Sequence, residues 1–434
     1  MRTWIVLAAG SASLAIMAAC ASSEADAPPA TAPPTTSLPD AGLPDADIWD
    51  VDVPDTRLPD CSSAGWCVTR FPDADLVFKD IWPFEDIAFA VGESRTEGVK
   101  VLEWTKATNE WRYIDDQSQN GAGMGEFIGS VYAPNENVVY FTVGSSHIYR
   151  GERPVAPETQ WRWTKHALPD NVIGHSNTHT HGTPFYVATR ERHAAFGVWG
   201  TDADNVYAFF SNTIFRRNPS DGTWEELYVA DDLEAPNEHI FFMAAAGTGP
   251  NDLWFAGARD REWYSCPLLL HKSESGWERI IDGVVQEDGA SPCTEREGTP
   301  RVGGELGGWF SDIQRSSTNE YLLLHDEIDW FSFKSTNLTK INLTESGPSI
   351  EQSPVPLKNA MGDARGTSVW RMDGETWFTT VGLVVRGTDD GKYTPSSISR
   401  DGAPVNAPLF KIRGTSNQNL WAIGARYAYH KTTP

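Results

Sequence analysis

A short unit recurs along most of this chain, and the repetition restricts the possible folds more than any other feature of the sequence. Three copies are clear, namely GVWGTDADNVYAFF from residue 197, AAGTGPNDLWFAG from residue 245 and IRGTSNQNLWAIG from residue 412. Weaker copies fill the intervals, so that seven units follow one another roughly every 45 to 70 residues, from near residues 79, 129, 197, 244, 310, 367 and 411. This regularity predicts one repeat architecture over residues 61–434 in place of two or three unrelated domains.

Each copy has the same internal order. A short strand of small and aromatic residues leads into a polar turn, an apolar strand and an alternating strand follow, and a second polar turn ends at Trp or another aromatic residue. That order predicts a four-stranded antiparallel sheet. One such sheet cannot be stable alone, whereas seven packed around an axis cover both faces of each sheet. We therefore predict an all-β fold, a single seven-bladed β-propeller.

The two ends of the repeated region are complementary. The last copy ends near Tyr429 without a final Gly-Trp strand, and an isolated Gly65-Trp66 stands before the first copy. We predict that the strand containing Gly65 and Trp66 completes the last blade beside Tyr429, because a closed ring leaves no unpaired strand edges. The alternatives are a ring of six or eight blades, two β-sandwiches, and an open solenoid, for which the polar end caps are missing.

The first residues of the chain resemble an export signal. Arg2 and the apolar run from Trp4 to Ala19 are typical of a signal peptide. The stretch Ile16-Met17-Ala18-Ala19-Cys20 resembles a bacterial lipobox, in which the chain is cut before the cysteine and the thiol carries lipid. We predict a lipoprotein signal peptide at 1–19 and a lipid on Cys20, and the missing Asp after Cys20 implies the outer membrane. A plain transmembrane anchor is the alternative, although the apolar run is short for one.

Residues 20–60 are predicted to be a disordered tether rich in Pro and Asp. Their composition lacks the apolar surface that would offset the entropy of ordering. A ladder of Asp residues in this segment could bind calcium, but it lacks the glycine turn and terminal Glu of a calcium-binding loop, which favours a solvated spacer. The whole chain has a net charge of −24. Nucleic acid is therefore not an expected partner, because its phosphates would be repelled.

The cysteines indicate disulfides. With Cys20 lipidated, four remain, and an even number in an exported protein is typical of disulfide bonding. Four cysteines allow three connectivities. We favour Cys61–Cys67 and Cys266–Cys293, because each pair lies within one local segment.

The clear copies resemble the VWG…DVWAVG…W repeats common in exported lipoproteins of myxobacteria and related bacteria. This resemblance covers most of residues 61–434 and implies the architecture and the cell-envelope location, without implying a chemistry. The turn Ser220-Asp221-Gly222-Thr223-Trp224 is also similar to the Asp-box of BNR/sialidase repeats, with a shorter spacing. The second resemblance implies a glycoside hydrolase or a polysaccharide lyase as an alternative function.

Three histidines, His175, His179 and His181, form the densest group of metal-binding side chains in the sequence. Three imidazoles could bind Zn²⁺ or a similar ion. No carboxylate at a fixed spacing accompanies them, which favours a polar loop between the second and third copies. We therefore expect no cofactor, with a zinc or calcium ion as the possible exception.

Motifs of catalysis are missing from the sequence, which has no GxSxG, phosphate-binding loop, GxGxxG or HExxH. A glycoside hydrolase needs two carboxylates facing one sugar bond, and acidic pairs in a sequence do not place them. Arg365 and Arg413 stand at the starts of copies and are predicted to line the central channel. Most of the 18 Trp residues recur at equivalent positions, so we predict that they pack between blades.

These observations favour a non-catalytic binding or scaffold propeller that recognises a protein or a polysaccharide. We expect a monomer, attached through its lipid to the bacterial outer membrane on the periplasmic or cell-surface side. The alternative is a BNR/sialidase-like glycoside hydrolase or polysaccharide lyase, which would bring a carboxylate pair and arginines to the channel mouth. No residue is assigned a catalytic role.

Overall fold

The structure, a computed structural model, describes residues 61–121, 128–143, 147–169, 196–235, 238–261, 264–286, 293–303, 307–329, 332–359, 362–363, 365–399 and 405–433. These residues form seven four-stranded sheets. Neighbouring strands within each sheet are antiparallel. Among the described residues, no helix is long and apolar enough to cross a membrane.

One short strand, β1 (Trp66–Val68), precedes the first complete sheet. Blade 1 contains β2 to β5, at Val77–Pro83, Ile87–Ser94, Gly98–Thr105 and Glu110–Tyr113, and a single 3-10 turn follows at Ser118–Asn120. Blade 2 contains β6 to β9, at Ile128–Asn135, Val138–Val143, His147–Glu152 and Arg162–Ala167. Blade 3 contains β10 to β13, at Phe196–Gly200, Val206–Phe210, Thr213–Arg217 and Trp224–Val229.

The second half of the ring has longer strands. Blade 4 contains β14 to β17, at Glu238–Gly249, Asp252–Arg261, Tyr264–Ser273 and Gly276–Ile281, and is followed by the small pair β18 (Gly283–Val285) and β19 (Cys293–Glu295). Blade 5 contains β20 to β23, at Gly308–Ser317, Glu320–Asp329, Ser332–Thr344 and Gly347–Pro354, and is followed by the pair β24 (Lys358–Asn359) and β25 (Gly362–Asp363). Blade 6 contains β26 to β29, at Ser368–Met372, Glu375–Thr380, Leu383–Thr388 and Tyr393–Ser396. Blade 7 combines β1 with β30 to β32, at Leu409–Ser416, Asn419–Gly424 and Tyr427–Lys431.

The blades form a closed ring. The first strand of each blade contacts the first strand of the next, and the first strand of blade 7, β30, contacts β2 of blade 1. The seven first strands therefore surround one axis, and the predicted seven-bladed propeller is confirmed. Six of the seven predicted copies begin within a few residues of the observed blades. Blade 4 begins earlier than predicted, at Glu238, because β14 extends to pair with Arg261 at the far end of β15.

The order of strands within a blade explains their burial. All five residues of β11 and all six of β31 are buried, because a second strand lies between neighbours in its own sheet and is covered on both faces by adjacent blades. The fourth strand β9 is mostly exposed or half-buried, as expected for the outer edge of a propeller. Several Trp residues pack between blades as predicted, and the fully buried ones include Trp66, Trp254 and Trp421.

Ring closure occurs as predicted. Strand β1 pairs with β32, with Trp66 opposite Lys431 and Val68 opposite Tyr429. Trp66 is fully buried, and its indole Nε1 donates a hydrogen bond of 2.9 Å to the hydroxyl of Ser396 in blade 6. Gly65 has a φ of +81°, and a Cβ there would lie 1.9 Å from the hydroxyl oxygen of Thr433. Any other residue there would need a left-handed backbone conformation and would displace the Thr433 hydroxyl, so this position favours glycine.

Both predicted disulfides are present. Cys61–Cys67 brackets the start of β1 and stabilises the turn before it. Cys266–Cys293 links the third strand of blade 4 to β19. Next to this second bridge, the buried guanidinium of Arg259 donates two hydrogen bonds of 3.1 Å to Asp282. A disulfide and buried ion pairs therefore attach the small β18–β19 sheet to blade 4.

Candidate functional site

A cavity of about 540 Å³ lies on the propeller axis. Residues from all seven blades line it, most of them on the first strands or in the segments just before them. Its position follows from the fold, because the first strands converge on the axis and their side chains alternate between the axis and the neighbouring blades.

β-bulges aim particular side chains into this cavity. The pairing of the first strand with the second shifts by one residue at the same place in blades 1, 4, 5 and 7. In each case the extra residue lines the cavity; these residues are Lys79, Met243, Ser311 and Phe410. A bulge bends its strand and redirects the side chains at that point. The repeated bulge therefore places one additional side chain toward the axis in each of these four blades.

In two of these blades, the residue after the bulge is an aspartate that joins neighbouring blades. In blade 1 this residue is Asp80, whose carboxylate accepts a 2.9 Å hydrogen bond from the backbone N–H of Val131 in blade 2. In blade 5 it is Asp312, which accepts a 3.1 Å bond from the backbone N–H of Val369 in blade 6. Both carboxylates are almost fully buried. A buried carboxylate that accepts such bonds fixes the spacing of two blades, and we assign both residues this structural role.

Arg365 lines the cavity, as predicted. Its Nε donates a 2.7 Å hydrogen bond to the carboxylate of Asp326, which is fully buried in the second strand of blade 5. The guanidinium also lies 4.9 Å from the ring centre of Trp309, a favourable cation–π distance. These contacts hold the arginine side chain between blades 5 and 6.

Arg413 and Lys411 bring two further positive charges to the cavity from β30. Arg413 Nη1 lies 3.6 Å from Asp80 Oδ1 and donates a 3.2 Å hydrogen bond to the carbonyl of Ile81. Lys411 Nζ donates a 2.8 Å hydrogen bond to Asp312. Their side chains are 19% and 15% exposed, so both reach the cavity while their stems pack against protein.

The walls of the cavity differ in polarity. Blades 3 and 4 contribute Phe196, Val198, Phe209, Met243 and Ala244, with no charged side chain among the described lining residues. The charged lining comes from blades 1, 5, 6 and 7 and consists of four basic and two acidic residues, namely Lys79, Arg365, Lys411, Arg413, Asp80 and Asp312. The lining therefore holds more basic than acidic side chains, and the two further carboxylates Asp326 and Glu93 pair with Arg365 and Lys79 from outside it.

The sequence located only part of this site. It predicted Arg365 and Arg413 at the channel and missed Lys79, Lys411 and the two aspartates. A usable signal was present, because FKDI (78–81) and FSDI (310–313) recur at equivalent positions. That recurrence marks the bulge and the blade-joining carboxylate together.

The remaining predicted residues lie outside the described part of the chain. These are the lipidation residue Cys20 and the three histidines His175, His179 and His181. Among the residues that the structure does describe, no group of three or more His, Cys, Asp or Glu side chains is arranged to hold a metal ion. A zinc site at the three histidines stays a prediction.

Comparison with known proteins gives similarity of overall structure alone. No protein-family model matches the sequence, and no curated protein matches it. YCF48 from Cyanidioschyzon merolae is 12% identical, with a TM-score of 0.49 over 85% of this chain and 99% of that one. YCF48 bound to D1 peptide is 9% identical, with a TM-score of 0.49 over 87% and 98%. The Cps50 (Swd1) β-propeller domain of Myceliophteria thermophila is 8% identical, with a TM-score of 0.48 over 82% and 96%.

The three similarities have TM-scores below 0.5. The assignment of the fold therefore rests on the strand order, the strand pairing and the closed sequence of first-strand contacts within the molecule itself. Those observations define a seven-bladed β-propeller, an architecture that supports many unrelated functions.

Proposed function

We propose that this protein is a non-catalytic binding or scaffold propeller of the cell envelope. Its partner is a protein or a polysaccharide, recognised at the face onto which the axial cavity opens. A lipid on Cys20 holds the protein at the outer membrane, and residues 20–60 serve as the tether. The lipobox-like sequence supports the anchor, and the composition of residues 20–60 supports the tether.

The axial cavity is the observation that supports a binding role. Its volume of about 540 Å³ lies within the usual range for ligand sites. Charged side chains and an apolar wall converge there from separate blades, and convergent polar groups in a mostly apolar pocket are typical of binding sites. The two acidic residues in the lining are occupied by blade-to-blade hydrogen bonds, which favours binding over acid–base catalysis.

A glycoside hydrolase or polysaccharide lyase is the second candidate, and one observation favours it. Two carboxylates, Asp80 and Asp312, and two arginines, Arg365 and Arg413, line the same cavity. That combination is the one expected for a hydrolase. The structural bonds of both carboxylates argue against it, and no tyrosine that could act as a sialidase nucleophile is present among the described lining residues.

A binding array can separate these two functions. The mature lipoprotein, purified in detergent, is titrated against a panel of cell-envelope proteins and acidic and neutral polysaccharides. We expect at least one panel member to bind, with affinity reduced at least tenfold by exchanging the apolar wall residue Met243 for Asp. Lys392→Met is the matched control, because Lys392 is 78% exposed and lies outside the cavity lining. A panel without any binder contradicts the proposal, and polysaccharide chains shortened during incubation establish the hydrolase or lyase in its place.

The anchor has a separate test. Replacing Cys20 with Ser removes the thiol that would carry the lipid, so we expect the variant to move from the detergent-rich to the aqueous phase in a phase-separation assay. Incorporation of labelled fatty acid should be lost at the same time. A Cys20→Ser variant that stays in the detergent-rich phase would instead indicate the transmembrane anchor.

A further inference from the structure

The axial cavity carries an inference about the chemistry of its ligand, and this inference rests on the binding function proposed above. We propose that the cavity binds an amphipathic carboxylate, that is, a carboxylate group joined directly to an apolar chain or ring. Such a ligand places its carboxylate among the basic residues of blades 6, 7 and 1. Its apolar part lies against blades 3 and 4.

The basic wall is continuous across neighbouring blades. Lys79 comes from blade 1, Lys411 and Arg413 come from blade 7, and Arg365 comes from the end of the segment that leads into blade 6. An ammonium group has three N–H donors and a guanidinium has five. The described hydrogen bond of Lys411 Nζ goes to Asp312 alone, and the described polar contacts of Arg413 all involve Nη1. Both groups therefore retain donors for a ligand after their structural contacts are made.

The charges around the cavity favour a singly charged anion over a doubly charged one. The lining carries two more basic than acidic side chains, but Asp326 and Glu93, outside the lining, pair with Arg365 and Lys79. An anion is therefore held by the N–H donors that remain on the basic side chains and not by a net positive charge. Asp80 and Asp312 lie in the same lining, and their negative charges would repel a phosphate dianion more strongly than a carboxylate. Planar carboxylates also match the fork of N–H groups on an arginine.

The opposite wall selects an apolar substituent. Phe196, Val198, Phe209 and Met243 present aromatic, branched and thioether groups to the cavity. A hydrated sugar ring would lose hydrogen bonds to water against these side chains and gain none in return. An apolar chain or ring would gain by leaving water there. The combination of walls therefore favours an apolar acid over a neutral or acidic sugar.

Two sources can supply this chemistry, and the experiment separates them. The mature lipoprotein is titrated by isothermal calorimetry with 4-phenylbutyrate and its amide, which represent a free organic acid. It is also titrated with N-acetyl-Leu-Phe and its C-terminal amide, which represent the end of a peptide chain. For each acid that binds, we expect an affinity at least tenfold higher than that of its amide. Binding of the peptide acid alone identifies a chain end as the source, and binding of phenylbutyrate alone identifies a free acid.

Variants assign the binding to this cavity. Lys411→Met should lower the affinity for the acid about tenfold. Lys411→Arg should restore most of the affinity because it restores a cation. Asp312 keeps its hydrogen bonds from Val369 and Ser368 in both variants, so the fold should be retained, as thermal unfolding will show. Lys392→Met, at an exposed turn of blade 6, should leave the affinity unchanged.

Three results would overturn the inference. They are equal affinity for acid and amide, no binding of any of the four probes, and binding that is indifferent to Lys411→Met. If the array of envelope molecules yields a partner while the four probes do not bind, the proposed function stands and this inference is wrong. If the acids bind and the array yields no partner, the cavity is a binding site for an amphipathic carboxylate, and the protein or polysaccharide partner proposed above is wrong.

Discussion

Two buried histidines make the stability of this protein depend on pH at the scale of single residues. Burial lowers the pKa of His325 to about 3 and that of His430 to about 4. His430 stacks on the ring of Trp421 at a centroid distance of 4.1 Å, and its Nε2 lies 2.8 Å from Asn419 Oδ1. Neither imidazole can take up a proton without a cost while the fold is intact.

The sign of the effect follows from the direction of these pKa shifts. Between pH 6.5 and 4 the unfolded chain binds protons at both histidines and the folded chain does not, so stability falls as the pH is lowered through this window. We expect each histidine to contribute a loss of about 2 kcal/mol between pH 6.5 and 5. Urea unfolding of the wild type and of His430→Gln at pH 7 and pH 5 measures this. The variant should lose less stability on acidification, and an equal loss in both proteins contradicts the assignment.

In this fold, a single strand can both shape the cavity and join two neighbouring blades. The bulged first strands turn one side chain into the cavity and set the next one against the adjacent blade. Asp312 is the most connected example, since it accepts hydrogen bonds from Val369, Ser368 and Lys411. The strength of the joint between blades 5 and 6 should therefore depend on this one carboxylate.

Two substitutions at Asp312 separate its charge from its hydrogen-bonding role. Asp312→Ala leaves a backbone N–H and a lysine ammonium without their acceptor, which should lower the free energy of unfolding by about 3 kcal/mol. Asp312→Asn keeps an amide oxygen that can accept the hydrogen bond from the Val369 N–H, so it should lower the free energy of unfolding clearly less. Denaturant unfolding of both variants provides the comparison. Equal and small losses would show that the joint does not depend on the carboxylate.

The whole molecule depends on the pairing of its first described strand with its last. Without β1, the outer edge of β32 would be unpaired, and the buried side chain of Trp66 would no longer cover blade 7. An open edge destabilises a ring and also offers a template for pairing with another chain. The pairing of β1 with β32 therefore both stabilises the ring and covers an edge through which chains could associate.

Removal of residues 61–70 tests this dependence. We expect the thermal midpoint to fall by about 10 °C, because a buried Trp and a strand are lost together. Light scattering should show association through the exposed edge. The matched control is the double variant Cys61→Ser, Cys67→Ser, which keeps β1 and removes only the disulfide. Its thermal midpoint should fall by less than that of the truncated protein. An unchanged midpoint in the truncated protein would contradict closure by β1.

The sequence alone predicted seven blades, their order, the closing strand and both disulfide pairs. These features depend on local information, because turn residues and apolar runs recur at a regular spacing, and small sheets of this kind are stable only when packed side by side. The unpaired Gly65-Trp66 and the incomplete last copy were also local signals. A closed ring was the arrangement that accounted for both the unpaired strand and the incomplete copy.

Only the tertiary structure decided which side chains share the axial cavity. Lys79 and Lys411 are far apart in sequence and line the same cavity because the ring closes. In both first strands a bulge lets two consecutive residues reach the cavity, Lys79 with Asp80 and Phe410 with Lys411. A shift of one residue in a strand turns every side chain beyond it to the other face. The position of Arg365 and Arg413 at the starts of copies therefore predicted that arginines could reach the channel. The register of each blade determined that a basic wall faces an apolar one.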